Sequence, residues 1–232
     1  MESQAQTLAR GLRILDVLAE AGRPLTIGEV CTRLDVHRSV GYRLVRTLED
    51  AALIVRDPAG SLVLGPHLAT LARSVAPDLQ SQAQPVLQQL ADELDMTAFL
   101  VVLDRTECVT LVTVEPRDAV ASIAQRPGSR HSMLVGAPGI AVQSLLTTVE
   151  RAALDLPMPE PDEVITARRD GVARSAGEVI PGVSAVASPV RGAVRAAVAV
   201  LFVSRDDDTH IADAVRLAAA TLTRSNRENL SR

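Results

Sequence analysis

The stretch Thr26 to Leu48, TIGEVCTRLDVHRSVGYRLVRTL, constrains the fold of this chain more than any other, because it has the pattern of two short helices joined by a tight turn. At about 100° per residue, Arg38, Ser39, Tyr42, Arg43 and Arg46 fall within one arc of the second helix. Val36, Val40, Leu44 and Leu48 fall within the arc beside it, with Thr47 the odd member. One face is therefore suited to a small core. The other presents three guanidiniums, a hydroxyl and the chain's only phenol. Arg forks of this kind match guanine edges and phosphates in the DNA major groove. A solvated amphipathic helix would carry the same pattern, so the flanking residues decide between the two.

Those flanks complete a winged helix-turn-helix. Leu8, Leu12, Leu15 and Leu18 recur at helical spacing, which predicts a first helix near residues 5–21 ending at Ala21-Gly22. Thr26-Ile27-Gly28-Glu29 has the capping-box pattern, in which a hydroxyl and a carboxylate satisfy orphan amides at a helix start. Beyond Leu48, Leu53-Ile54-Val55 and Leu62-Val63-Leu64 flank the turn Asp57-Pro58-Ala59-Gly60, a β-hairpin pattern. Arg56 lies at the hairpin tip, placed to reach a phosphate. His37 is expected to be a turn residue beside the second helix.

A chain of 232 residues has room for two domains. With 47% hydrophobic but only 1% aromatic residues, its core must be built from Leu, Val, Ala and Ile. All 24 basic residues are Arg. Residues 1–73 hold nine Arg against eight acids, and residues 74–232 hold fifteen against twenty. Such a chain is no general polyanion binder, so affinity for DNA must come from a local basic face, which dimerisation would double. There is no apolar run of 18 residues or more and no signal-peptide pattern, so the expected compartment is the cytoplasm, with no membrane partner. Cys31 and Cys108 stand far apart without a CxxC or a Cys/His cluster, and are expected to be reduced packing residues, with redox sensing the alternative. No metal site or cofactor is indicated.

Gly65-Pro66 closes the hairpin, a helical stretch runs from His67 to Val75, and Ala76-Pro77-Asp78 interrupts it before a helix from Leu79 to Leu94. The expected division is residues 1–65 as the DNA-reading domain, 66–78 as a helical linker and 79–232 as a second domain. In that second part Ala98–Leu103, Val109–Val114, Ala119–Ala124, Val183–Val190 and Ala196–Val203 have strand character. Gly136–Leu146 and Asp207–Thr223 have helical character. The fold class is α+β, with mostly antiparallel strands in the second domain.

Three sets of residues give a resemblance: Leu8-Ala9-Arg10-Gly11-Leu12-Arg13-Ile14-Leu15, then Ser39 to Leu48, and in the second half Gly171-Val172-Ala173, Glu178, Pro181-Gly182-Val183, Val186-Ala187 and Pro189-Val190. Over essentially its full length the chain resembles the IclR (isocitrate-lyase-regulator) type of bacterial transcription factor. The resemblance implies a winged helix, a helical linker and a GAF-like effector domain. It also implies homodimers that often pair into tetramers, and repression or activation under control of a small metabolite. On this reading Arg38, Ser39, Tyr42 and Arg43 reach bases or phosphates of a double-stranded operator, while Arg46 and Arg56 hold the backbone.

The resemblance also implies an effector pocket at Ile123, His131, Ala137, Pro138, Ser175, Ala185, Phe202 and Ser204. Several of these depart from the family pattern. Members that bind small 2-oxo acids hold the carboxylate on backbone amides at the start of the helix beginning Gly136-Ala137-Pro138-Gly139, but Pro138 has no N–H to give. The family's acidic residue falls at Ser175, its pocket Cys at Ala185, and its two serines at Phe202 and Ser204. Burying an oxo acid's charge without matching donors is costly. The expected ligand is therefore less polar or larger than glyoxylate or pyruvate, or else Phe202 partly fills the pocket. There is no GxSxG, P-loop or GxGxxG opening a helix, so an α/β enzyme is the weaker alternative beside a ligand-independent DNA-binding protein.

Overall fold

A computed structural model describes residues 5–117, 123, 125–203 and 208–230. Contacts divide the chain into two units, residues 1–75 and 76–232. The expected linker is shared between them: its helical part belongs to the first unit, and Pro77 opens the first helix of the second.

The first unit runs α1 (Gln6–Ala21), α2 (Ile27–Leu34), α3 (Arg38–Asp50), β1 (Ile54–Arg56), β2 (Leu62–Leu64) and α4 (His67–Arg73). Helix α1 stops where Gly22 takes a left-handed conformation, φ 61°. The capping box forms at α2: Thr26 Oγ1 accepts from the Glu29 N–H at 3.3 Å, and the Thr26 N–H donates to Glu29 Oε2 at 2.8 Å. At α3 the N-cap is His37, whose Nδ1 accepts from the Ser39 N–H at 3.3 Å, so it holds the helix start rather than merely turning the chain. The hairpin pairs Ile54 with Leu64, and Asp57 Oδ1 accepts from the Ala59 and Ser61 N–H groups in its turn. Leu25 adds an isolated bridge to Leu62.

The core of this unit differs in detail from the helical-wheel expectation. On α1 the buried residues are Gly11, Ile14, Val17 and Leu18, while Leu8 and Leu12 stay exposed. On α3 they are Gly41, Leu44, Val45 and Leu48, with Val40 only half-buried. The reason lies at Gly41. A Cβ there would meet Cys31 Sγ at 2.2 Å, so α2 and α3 cross at the glycine and the stripe centres on it.

The second unit runs α5 (Pro77–Leu94), β3 (Thr97–Asp104), β4 (Glu107–Val114), β5 (Arg130–Ser132), α6 (Gly136–Gln143), α7 (Thr148–Ala153), α8 (Asp162–Asp170), β6 (Ala173–Ala176), β7 (Val183–Val190), β8 (Ala196–Val203) and α9 (Thr209–Leu230). Its strands form one antiparallel sheet in the order β5-β4-β3-β8-β7-β6. One face packs on α5 and α9 through Leu87, Leu90, Val198, Val200, Val215 and Leu222. The other packs on α6 and α8 through Phe99, Val101, Ala141, Val164, Ala187 and Ala199. The expected strand at 119–124 lies outside the described residues, except for Ile123. Helices α7 and α8 and the short edge strands β5 and β6 are additional to the sequence reading.

Candidate functional site

Two features stand out, one in each unit. In the first, Arg38, Ser39, Tyr42, Arg43 and Arg46 are all exposed on α3, Tyr42 at 53%. Among the described residues, the guanidiniums of Arg38, Arg43 and Arg46 make no hydrogen bond or ion pair. The same burial of Gly41, Leu44, Val45 and Leu48 that anchors α3 turns these guanidiniums outward. Ser39 is not free: its Oγ lies 3.0 Å from His37 Nδ1. Arg56 is also engaged, with Nε on Glu49 Oε1 at 2.8 Å and a donated bond to the Gly60 carbonyl at 3.0 Å. It therefore braces the hairpin, and only the rest of its exposed surface is available to a phosphate. The sequence reading passed over Arg10, which borders a groove between α1 and α3 together with Thr7, Arg43 and Thr47.

In the second unit a cavity of about 170 Å³ opens between the sheet and the start of α6. His131, Pro138, Ser175 and Ala185 line it. Ala137 stands just behind, its N–H donating to Ser175 Oγ at 2.9 Å. Ile123 packs against the same core without lining the cavity, and its carbonyl accepts from Thr97 Oγ1. Ser204 lies outside the described residues. Phe202 is a correction: it sits on the opposite face of the sheet, among residues packed on α5 and α9. Alternation along β8 puts Leu201 at the cavity instead, and the aromatic wall comes from Phe99 on β3. Phe202 therefore does not fill the pocket.

The electrostatics of the cavity are those of a site without spare positive charge. The first three backbone positions of α6 have no N–H left to offer. Gly136 donates to Glu178 Oε2 at 2.8 Å, Ala137 donates to Ser175, and Pro138 has no hydrogen. Glu178 thus holds the helix start, a role that 42 residues of separation hide from the sequence. Arg130, at the cavity edge, is held by Glu107 and Asp104. Burial pushes His131 below the ordinary imidazole range, against smaller opposing effects of the Cys108 carbonyl and Glu107. Cys108 is buried, which pushes its thiol up to about 12 and leaves it unreactive. Among the described residues no cluster of His, Cys, Asp or Glu could hold a metal ion, and no helix is long and apolar enough to cross a membrane.

Comparisons with known proteins agree with this anatomy. Residues 7–58 match the family model of the IclR helix-turn-helix domain. The chain is 28% identical over 207 residues to the HTH-type transcriptional regulator Rv1719 of Mycobacterium tuberculosis, covering 81% of this chain and 77% of that one. The crystal structure of an IclR transcriptional regulator from Alicyclobacillus acidocaldarius superposes with a TM-score of 0.82 at 25% identity, covering 97% of this chain and 100% of the other. An IclR homologue from Microbacterium hydrocarbonoxydans, complexed with 4-hydroxybenzoate, gives a TM-score of 0.83 at 21% identity over 96% and 99% of the two chains. A winged helix-turn-helix followed in one chain by an antiparallel α+β unit defines a DNA-binding transcriptional regulator. Residues 7–58 thus match an IclR helix-turn-helix domain, and over most of its length the chain is similar to proteins described as transcriptional regulators.

Proposed function

We propose that the chain acts as a homodimer, or a dimer of dimers, that binds a roughly palindromic operator and changes its hold on DNA when a small metabolite enters the cavity of the second unit. The observation that carries this reading is the outward face of α3, where Arg38, Arg43 and Arg46 are exposed and have no partner among the described residues. Each α3 would enter a major groove, with Arg38, Tyr42 and Arg43 on base edges or phosphates, Ser39 beside them, and Arg46 and Arg56 on the backbone. Residues 1–65 would form the DNA-binding domain, 66–78 the linker and 79–232 the effector domain.

A second copy is favoured by apolar surface on the first unit. Leu8 and Leu12 on α1 are 62% and 50% exposed, and α4 has no buried residue at all, with Leu71 49% exposed. The cavity supports control by a metabolite, as does the ligand-complexed homologue. By linkage, such a ligand changes operator affinity only as far as it favours one state of the dimer over another.

The test is fluorescence anisotropy on DNA from immediately upstream of the protein's own gene, across a salt series. Wild type should bind tightly and selectively, and Arg43→Ala should lose about 1–3 kcal/mol. Equal, weak binding of both proteins to unrelated DNA would overturn the reading of α3.

A further inference from the structure

We infer that the cavity takes an uncharged molecule about the size of a single six-membered ring, carrying a hydroxyl that donates to His131, and that Glu178 excludes carboxylates from it. The inference rests on reading the second unit as an effector domain, and adds to that reading the chemistry of its ligand.

Size comes first. The cavity holds about 170 Å³. An apolar protein cavity of about 150 Å³ admits benzene. Phe99, Pro138, Val183, Ala185 and Leu201 give it largely apolar walls, so most of the ligand must be apolar as well.

The polar groups then set the chemistry. His131 Nδ1 lies 3.4 Å from the Cys108 carbonyl. A carbonyl only accepts, so Nδ1 carries the hydrogen, and in the neutral ring Nε2 is left as a lone pair. Nε2 has no partner among the described residues. Gln125, also at the cavity, gives its amide nitrogen to Thr110 Oγ1 at 2.7 Å, which leaves its oxygen as an acceptor. Ser175 Oγ already accepts from the Ala137 N–H, so its own hydrogen remains to donate. Two acceptors and one donor around an apolar space fit a hydroxyl, which can both give and receive a hydrogen bond.

A carboxylate meets the reverse situation. The amides that could hold it are taken by Glu178 and Ser175 or are missing at Pro138, and Arg130 is already held by two carboxylates. The chain's own Glu178 stands where an external anion would need a donor. Val179 and Ile180, which follow it, form part of the cavity wall, and Val179 reaches the Gly136 backbone closely enough that a Cβ there would lie 2.8 Å from its Cγ2. Glu178 is thus tied to the wall from behind, through its bond to the Gly136 N–H and its chain neighbours Val179 and Ile180, and its charge disfavours an anion at that end of the cavity.

Phenol, toluene and benzoate share one ring and differ at one substituent, so they separate these requirements. Ligand-induced thermal shift on the full chain gives their relative affinities. Phenol should bind about tenfold more tightly than toluene, the worth of one good hydrogen bond, and more tightly still than benzoate. His131→Phe should narrow the gap between phenol and toluene, because it keeps a ring of similar size and removes the principal acceptor, leaving only Gln125 and Ser175 to the hydroxyl. Glu178→Gln should narrow the gap between benzoate and phenol. Tighter binding of benzoate than phenol by wild type, equal binding of phenol and toluene, or no binding of any probe at millimolar concentration would overturn the inference. Operator binding by the same preparation reports on the regulator separately. Selective DNA binding with benzoate preferred removes only the ligand class. Phenol selectivity with no selective DNA binding removes only the proposed function.

Discussion

In the first unit Arg38, Arg43 and Arg46 stand exposed with no acidic partner among the described residues, whereas in the second Arg130, Arg151, Arg168, Arg174 and Arg195 each close on a carboxylate. The same side chain therefore does two jobs. On α3 the buried stripe through Gly41 and Leu44 holds the helix and leaves the charges outward for a polyanion. In the second unit arginine braces the sheet edge at Arg130 and ties helices and loops together at Arg151, Arg168, Arg174 and Arg195. Arg151 is the extreme case: it is 3% exposed, bonded to the Pro157 carbonyl, and paired with Glu160 at 3.3 Å. A count of charges along the sequence treats these arginines as equivalent, and their partners show that they are not.

The strongest way to break that contrast is to remove an internal arginine. Arg151→Ala leaves the Gln143 Oε1 and the Pro157 carbonyl without their donor and opens a space among buried residues, while Glu160 keeps Arg168; it should destabilise the second unit by about 2–4 kcal/mol in denaturant unfolding. Arg151→Met should recover part of that loss, since an apolar side chain of similar length refills the space. If Arg151→Ala unfolds at the wild-type midpoint, the internal role assigned to arginine is wrong.

Next in size is a change that moves α3 without touching its charges. Gly41→Ala forces a Cβ to 2.2 Å from Cys31 Sγ, so it should cost about 1–3 kcal/mol and abolish selective DNA binding while phenol binding survives. Adding Cys31→Ala should restore binding, because the Gly41 Cβ position lies at an ordinary 3.8 Å from the Cys31 Cβ. Failure of the double variant to recover would mean that the crossing at Gly41 is not what sets α3.

A finer comparison uses the two capping boxes, Thr26–Glu29 in the first unit and Thr147–Glu150 in the second. Thr26→Ala or Thr147→Ala should each cost about 1 kcal/mol in its own unit. Both carboxyls are held down to about 2, Glu29 chiefly by Arg23 and then the Thr26 N–H, Glu150 chiefly by the Thr147 N–H and then Arg195. A depressed carboxyl stabilises the fold fully above its ordinary value of 4.5, and that stabilisation fades as pH falls toward 2. Melting temperatures between pH 5 and 2 should therefore fall less steeply in Glu29→Gln and Glu150→Gln than in wild type. A parallel decline would remove these groups from the acid response.

The smallest effect is expected at Arg56, already joined to Glu49 and the Gly60 carbonyl. Arg56→Ala should change operator affinity by less than Arg43→Ala and stability by no more than about 1 kcal/mol. A loss of affinity equal to that of Arg43→Ala would return Arg56 to the set of principal DNA contacts.

The helices and hairpin of the first unit were legible because their signals are local: the Thr26–Glu29 box, the glycine after α1, and the Asp57–Gly60 turn all act within a few residues. The centre of the buried stripe was not, because a glycine has no side chain to count on a helical wheel and Gly41 matters only against Cys31. Likewise, His131, Pro138, Ser175 and Ala185 could be placed at one cavity from sequence resemblance, while Phe202 could not. Which face of β8 meets α6 and which meets α9 depends on how the whole sheet is covered, and one step along a strand exchanges them.

Sequence alone thus determined the winged helix-turn-helix, the antiparallel α+β second unit and the absence of a donor at Pro138, since each follows from local periodicity, capping chemistry or the identity of one residue. Only the tertiary structure decided which arginines stay free, that Phe99 rather than Phe202 walls the cavity, and that Glu178 takes the Gly136 amide. Those outcomes depend on partners from 7 to 45 residues away, and an ion pair or a hydrogen bond exists only once the fold has brought both ends together.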